Sequence, residues 1–213
     1  MLVFTVANLK GGSTKTTTAA YLGHALHEAG LNVLGVDADG ENESLLNWQS
    51  LGDWPFPVIG MPVNNLHKQL PGIANNKYDA VVIDTPPMKE QRGIVLSAVR
   101  IATHVICPLA PTTMEFSRLS AVRQLLDEAA ELRGDGALDP VFAVLLTRTI
   151  PNASSTDVFR EMITEEGDHV LRATVGRREQ FAQAFGLPIV NAANTAYGDA
   201  VEELLEIGNE DAA

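Results

Sequence analysis

Cysteine is almost absent from this chain: Cys107 is the one thiol in 213 residues. That excludes an intramolecular disulfide. Its place in the apolar run Val105-Ile106-Cys107 marks it as a small core residue of a protein kept in a reducing compartment. Long apolar runs are missing too. No stretch approaches the ~20 residues that span a bilayer, and Met1 to Ala7 is too short and too uncharged at its start for a signal peptide, so a cytoplasmic protein is expected. Positive charge is scarce, with 15 Lys and Arg against 27 Asp and Glu and a formal net charge of −12. A surface that coats nucleic acid everywhere is thereby excluded, whereas a local basic patch is not. The 5 histidines show no metal-ligand spacing, and the chain has neither an internal repeat nor a low-complexity tract. What remains, 46% hydrophobic and 20% charged residues, suits a globular chain with a substantial core. It reads as one domain over 1–213 with a frayed acidic tail at 209–213.

Apolar runs rich in β-branched residues recur at Leu2–Ala7, Asn32–Val36, Ala80–Ile83, His104–Cys107 and Phe142–Leu146, with shorter candidates at Val58–Ile59 and Pro188–Val190. Runs apolar on both faces suit strands buried on both sides, hence a parallel sheet. Amphipathic patterns predict helices over Lys15–Ala29, Glu43–Trp48, Glu90–Ile101, Met114–Leu132, Thr156–Glu166 and Tyr197–Ile207. Glycines such as Gly30 and Gly167 follow as helix stops. Leu51 to Pro71, with Trp54-Pro55-Phe56-Pro57 and Met61-Pro62, reads as a loop around a short edge strand. The alternation predicts an α/β fold, a doubly wound and mostly parallel sheet flanked by helices, with ligands beyond the carboxyl ends of its strands.

The first strand breaks into Asn8-Leu9-Lys10-Gly11-Gly12-Ser13-Thr14-Lys15-Thr16-Thr17-Thr18. A Gly-Gly turn between a buried strand and a helix that begins Lys-Thr can cradle phosphates. Backbone amides and the positive helix end face the anion, Lys15 reaches the outer phosphates, and the Thr16 hydroxyl can ligate Mg²⁺. Gly11, Gly12, Ser13, Thr14, Lys15, Thr16 and Thr17 are therefore the expected nucleotide contacts. Two other strand tips carry carboxylates: Asp37 and Asp39 in Val36-Asp37-Ala38-Asp39, and Asp84 in Val81-Val82-Ile83-Asp84-Thr85-Pro86-Pro87. Strand alternation sends Asp37 and Asp39 to one side, and Asp84 can hold a Mg²⁺-bound water. The alternative for the first pair is that both cap the turn into the helix at Glu43–Trp48.

The loop resembles the deviant Walker A element, K-G-G-x-G-K-T, of the ParA/MinD family of P-loop ATPases. Lys10, Gly11, Gly12, Lys15 and Thr16 match it, while Thr14 stands at its last glycine. If that position takes a positive φ, a β-branched residue there is strained. Asp37-Ala38-Asp39-Gly40-Glu41 is similar to the family's D-x-D-P-Q, with Gly40-Glu41 for Pro-Gln, and Asp84-Thr85-Pro86-Pro87 resembles its switch segment. The resemblance implies hydrolysis of ATP with Mg²⁺. In it Lys15 and the loop amides neutralise charge, Asp39 positions the attacking water, and Thr16, Asp37 and Asp84 organise the metal. It further implies that Lys10 reaches the partner's phosphates in an ATP-bound homodimer; the alternative is a solvated loop lysine serving its own subunit. Arg148 matches the place where the family holds the adenine, with Thr147 where asparagine is common.

Members of the family divide by what they move. The acidic Ala200–Glu210 would be repelled by anionic lipid, and one cysteine inside a strand closes the cluster-holding route. Arg172-Ala173-Thr174-Val175-Gly176-Arg177-Arg178 resembles the arginine-bearing segment ahead of the family's F-G-x-P stretch. Arg172, Arg177 and Arg178 are thus expected to bind DNA nonspecifically, the alternative being that they merely solvate a loop. The resemblance covers essentially the whole chain. With the P-loop strand at its start, it implies the small ParA type without an N-terminal helix-turn-helix. Such a protein is a nucleoid-associated partition ATPase stimulated by a ParB-like, centromere-binding partner. The alternatives are an ATPase of the same family that positions another cytoplasmic cargo, and a nucleotide-binding scaffold whose hydrolysis Thr14 and Gly40 have weakened.

Overall fold

Val3 and Phe4 point to opposite faces of the first strand and both are buried, so that strand needs cover on either side. The computed structural model describes residues 1–134 and 137–210, with side chains through 207, and supplies that cover as helices on both faces of a seven-stranded sheet. The expected tail at 209–213 lies largely outside the described residues. In chain order the elements are β1 (Leu2–Val6), α1 (Lys15–Glu28), β2 (Val33–Asp37), α2 (Ser44–Gly52), β3 (Val58–Gly60), α3 (Leu66–Ala74), β4 (Ala80–Asp84), α4 (Arg92–Val99) and β5 (His104–Leu109). There follow α5 (Thr113–Phe116), α6 (Leu119–Glu131), β6 (Val141–Thr149), α7 (Ser155–Glu165), β7 (His169–Gly176), α8 (Glu179–Ala182), a 3₁₀ turn (Ala192–Asn194) and α9 (Ala196–Glu210).

The strand order is β3-β2-β4-β1-β5-β6-β7, and every pairing is parallel. On one face Phe4, Val6, Val82 and Leu145 pack against Leu22 and Leu26 of α1 and Tyr197 and Leu204 of α9. On the other, Val36, Val81 and Ile83 meet Leu66 and Leu70 of α3, and Val105, Val144 and Leu146 meet Leu119, Val122 and Leu125 of α6. Cys107 joins the last group, and burial pushes its thiol up to about 12. Trp48 and Trp54 pack with Tyr21, His24, Phe56 and Phe185 beside α1 and α2. Among the described residues no helix is long and apolar enough to cross a membrane.

Two segments depart from the sequence reading. The expected loop up to Pro71 contains α3, which keeps Pro71 inside it. The helix survives because Leu66, Leu70 and Ala74 are all buried at i, i+4 spacing, and because the Ser97 hydroxyl accepts from the orphan amide of His67 at 3.0 Å. The second departure is at the far edge. Pro188–Val190 is not a strand; β7, marked in the sequence only as an arginine-bearing segment and not as a strand, takes the place beside β6. Its register passes from Val144↔Val170 to Leu146↔Thr174, so a bulge at 171–173 breaks the alternation that marks a strand. Side chains meet the backbone groups thrown out of the ladder. Arg160 donates to the carbonyls of Val170, Leu171 and Arg172 at 3.2, 2.7 and 3.3 Å. The Arg172 amide donates to the two Glu203 oxygens at 3.1 and 2.8 Å.

Candidate functional site

The loops after β1, β2 and β4 leave neighbouring strands at the same end of the sheet. After β1 the Ala7 amide still donates to Ile106 O at 3.0 Å, and Asn8 Nδ2 donates to Pro108 O at 2.7 Å. The chain then turns through Gly12 at φ 72 and Thr14 at φ 65 and enters α1, where the Thr18 amide donates to Thr14 O. Glycine adopts such values freely. For a β-branched residue the left-handed region costs about 1–2 kcal/mol, so the strain expected at the last glycine of the loop is present. Thr14 Oγ1 donates to Ser13 O at 2.6 Å and lies 3.3 Å from Thr147 Oγ1.

Lys15 is buried and its ammonium donates to Lys10 O at 3.1 Å. Burial lowers its pKa, while the carboxylates of Asp84 and Asp39 push the other way. The Lys10 side chain is exposed and takes no partner among the described residues. A cavity of about 370 Å³ is lined by residues 11–17 together with Asp39, Asn42, Ser44, Thr85 and Pro87.

The three carboxylates differ sharply. Asp37 Oδ1 accepts from the Asp39 amide at 3.0 Å, and Oδ2 from the Leu45 and Leu46 amides at 2.9 and 3.0 Å. It therefore caps α2, whose own N-cap residue, Glu43, offers no side-chain bond. Burial still raises the Asp37 pKa, those amides opposing it. Asp39 Oδ1 accepts from the Glu41 and Asn42 amides at 3.2 and 3.3 Å, and Oδ2 from Asn42 Nδ2 at 2.9 Å. The capping alternative thus describes what both aspartates do, with the difference that Asp39 also faces the cavity. Asp37, expected to help organise the metal, has both oxygens engaged by the amides of its own loop and of α2. Gly40, standing at the family's proline, lies against Pro62: a Cβ there would come within 2.7 Å of Pro62 Cβ.

Asp84 is 1% exposed. Its Oδ2 accepts from the Thr16 hydroxyl at 2.6 Å, and its Oδ1 finds no partner among the described residues. Burial drives its pKa up to about 7, against the pull of the Thr16 bond and with the help of Asp37. A buried oxygen with no donor, beside a hydroxyl at a helix start, is the donor set that a hard divalent cation completes. Among the described residues no three His, Cys, Asp or Glu converge on one point, and a Mg²⁺ site that keeps most of its waters does not require it.

Across the loop, Arg148 sits at φ 56 and its Nη1 donates to Gly12 O at 3.1 Å. A second cavity, of about 210 Å³, opens between Thr14, Thr17, Thr147, Arg148, Gly176, Arg178, Phe181 and Tyr197. Thr147 was marked beside Arg148 by its matched position, whereas Phe181 and Tyr197 had no local sequence signal, because they converge on it from α8 and α9. Arg177 and Arg178, just after β7, are exposed and make no side-chain bond among the described residues. Arg172 is a different case, since its guanidinium pairs with Glu206 at 3.1 Å and approaches Glu203 at 3.6 Å. The three arginines do not form one unpaired patch.

Comparison with known proteins agrees with this geometry. The model of the CobQ/CobB/MinD/ParA nucleotide-binding domain matches residues 4–189. The chain is 27% identical to the chromosome partitioning protein ParA of Caulobacter vibrioides, across 88% of this chain and 86% of that protein. It is 25% identical to the maintenance of carboxysome distribution protein A of Halothiobacillus neapolitanus, across 84% and 81%. In fold it superposes on the cobyrinic acid a,c-diamide synthase of Mycobacterium smegmatis, solved with an ATP analogue and magnesium. The TM-score is 0.73, with 21% identity over 97% of this chain and 95% of that one. With the loop, the strand order and the matched span in agreement, the chain belongs to the CobQ/CobB/MinD/ParA nucleotide-binding family.

Proposed function

We propose that this protein is a Mg²⁺-dependent ATPase of the ParA type that dimerises over ATP, binds DNA nonspecifically as the dimer and is stimulated by a ParB-like partner. One observation carries the reading: the loop 11–17, with Lys15 and Thr16, and Asp39 line one cavity at the carboxyl ends of β1, β2 and β4, and the buried Asp84 stands directly behind it as the acceptor of the Thr16 hydroxyl. The relative named for chromosome partitioning and the fold neighbour solved with an ATP analogue and magnesium support the choice of ligand.

Thr16 and Asp84 would hold the metal, which when bound neutralises charge on the transferring phosphoryl group. Lys15 exchanges the Lys10 carbonyl for the outer phosphates, and the loop amides and the N-terminus of α1 take the remaining charge. Asp39 orients the attacking water. Lys10, whose side chain is unattached, extends to the nucleotide of the second subunit. Arg148 and the second cavity receive the base. Arg177 and Arg178 supply the DNA contact without Arg172, whose charge Glu203 and Glu206 already balance. The relative named for carboxysome distribution favours a second reading, the same cycle used to position a cytoplasmic cargo other than a replicon.

The test is turnover of Mg-ATP with and without nonspecific duplex DNA. Turnover is expected to fall by at least about 10²-fold in Asp39→Ala, while Arg177→Ala with Arg178→Ala loses ATP-dependent DNA binding and keeps the dimer. Turnover in the unaltered chain no higher than in Asp39→Ala would leave only a nucleotide-binding scaffold.

A further inference from the structure

Thr14 and Thr17 are the residues that border both cavities. Thr14 also holds a backbone angle that glycine would adopt without strain. A strained residue that persists at a functional site is one the surroundings over-determine, and here the surroundings can be named. Thr14 Oγ1 has one hydrogen, and Ser13 O takes it at 2.6 Å. Across the 3.3 Å gap Thr147 is therefore the donor and Thr14 the acceptor. Thr147 is 1% exposed, so its hydroxyl has little bulk solvent to turn to. Next to it Arg148, itself left-handed at φ 56, donates to Gly12 O. Two struts thus tie the phosphate loop to the tip of β6, and each bridges more than a hundred residues of chain.

We infer that Thr14 is a positioning residue that couples the base side of the site to the phosphate side, using its hydroxyl strut to Thr147. This rests on the nucleoside triphosphate reading above. A base seated in the second cavity presses on Thr147 and Arg148, and the struts carry that contact to the loop that grips the phosphates. Glycine at position 14 would free the backbone and cut the strut, so the loop would hold phosphates as before yet gain little from the base.

The experiment is isothermal titration of the full chain with two probes, Mg-ATP and Mg-tripolyphosphate, comparing the ratio of the two dissociation constants. For Thr14→Gly, tripolyphosphate should bind at least as well as to the unaltered chain. The preference for ATP should shrink about tenfold, the factor expected from one lost hydrogen bond. Thr147→Val should reproduce that loss, the double variant should lose no more than either single one, and Thr14→Ser should restore the preference. Glycine suits the angle, so misfolding does not confound the first variant, and a purely structural role would shift melting without moving the ratio. A ratio for Thr14→Gly within about twofold of the unaltered chain, or losses that multiply in the double variant, would overturn the coupling. An unaltered chain that binds neither probe would sink the nucleotide reading, and this inference with it.

Discussion

The tips of β2 and β4 lie side by side in the sheet, and their last residues, Asp37 and Asp84, are register partners. Both carboxylates are almost fully buried, yet one is surrounded by three backbone amides and the other keeps an oxygen with no donor among the described residues. The first builds a loop, and the second stands behind Thr16 with one oxygen left over. Two chemically identical strand ends thus differ in whether the fold itself satisfies the charge. Asp39 is intermediate, held by its own turn and open to the cavity.

Three measurements would break or sharpen that contrast. The largest effect is expected at Asp37. Its replacement by alanine leaves the amides of residues 39, 45 and 46 without their acceptor, so urea unfolding should show a loss of about 2–4 kcal/mol. A loss below about 1 kcal/mol would mean that Asp37 is no better satisfied than its neighbour.

Next comes the pH dependence set by Asp84. Its folded pKa of about 7 lies above the ordinary 3.8, so between those values the folded chain holds a proton that the unfolded chain has released. The stability from this group is complete below the ordinary value and is lost as pH rises through about 7. Melting curves in EDTA should therefore show a gain on the order of 1–3 kcal/mol between pH 8 and pH 5, absent in Asp84→Asn. Added Mg-nucleotide should reverse the trend, stabilising more at pH 8 than at pH 6, because the cation competes with the proton. A profile shared by the unaltered chain and Asp84→Asn would remove the contrast. The smallest effect is expected at Asp39, where alanine should cost the nucleotide-free chain at most about 1 kcal/mol. A larger loss in the same urea titration would place Asp39 with Asp37 as a builder of the fold.

Much of this was legible in the sequence because it is local. The apolar runs before Asn8 and Asp84 and the Gly-Gly turn before Lys15 give strand, loop and helix start within a few residues of one another. The glycines after α1 and α7 likewise gave their stops. Two element judgements failed where a local feature outweighed or hid a pattern. Pro71 masked the Leu66, Leu70, Ala74 spacing of α3, and the bulge at 171–173 hid the alternation of β7. Residues 114–132 divide at 117–118 into α5, which Thr112 opens by accepting from the Glu115 amide, and α6. In the site, the strain at Thr14 could be posed as a question from its matched position. The pairing of Arg172 with α9 and the reach of Arg148 to Gly12 could not, since each joins distant parts of the chain.

The bulged stretch of β7 has a consequence for how copies of this protein can meet. At that margin the outward carbonyls already belong to Arg160 and the Arg172 amide to Glu203, and at the opposite margin β3 is a strand of only 3 residues. An incoming chain finds no long row of open donors and acceptors along which to zip up. Lateral extension of the sheet is thereby discouraged at both ends.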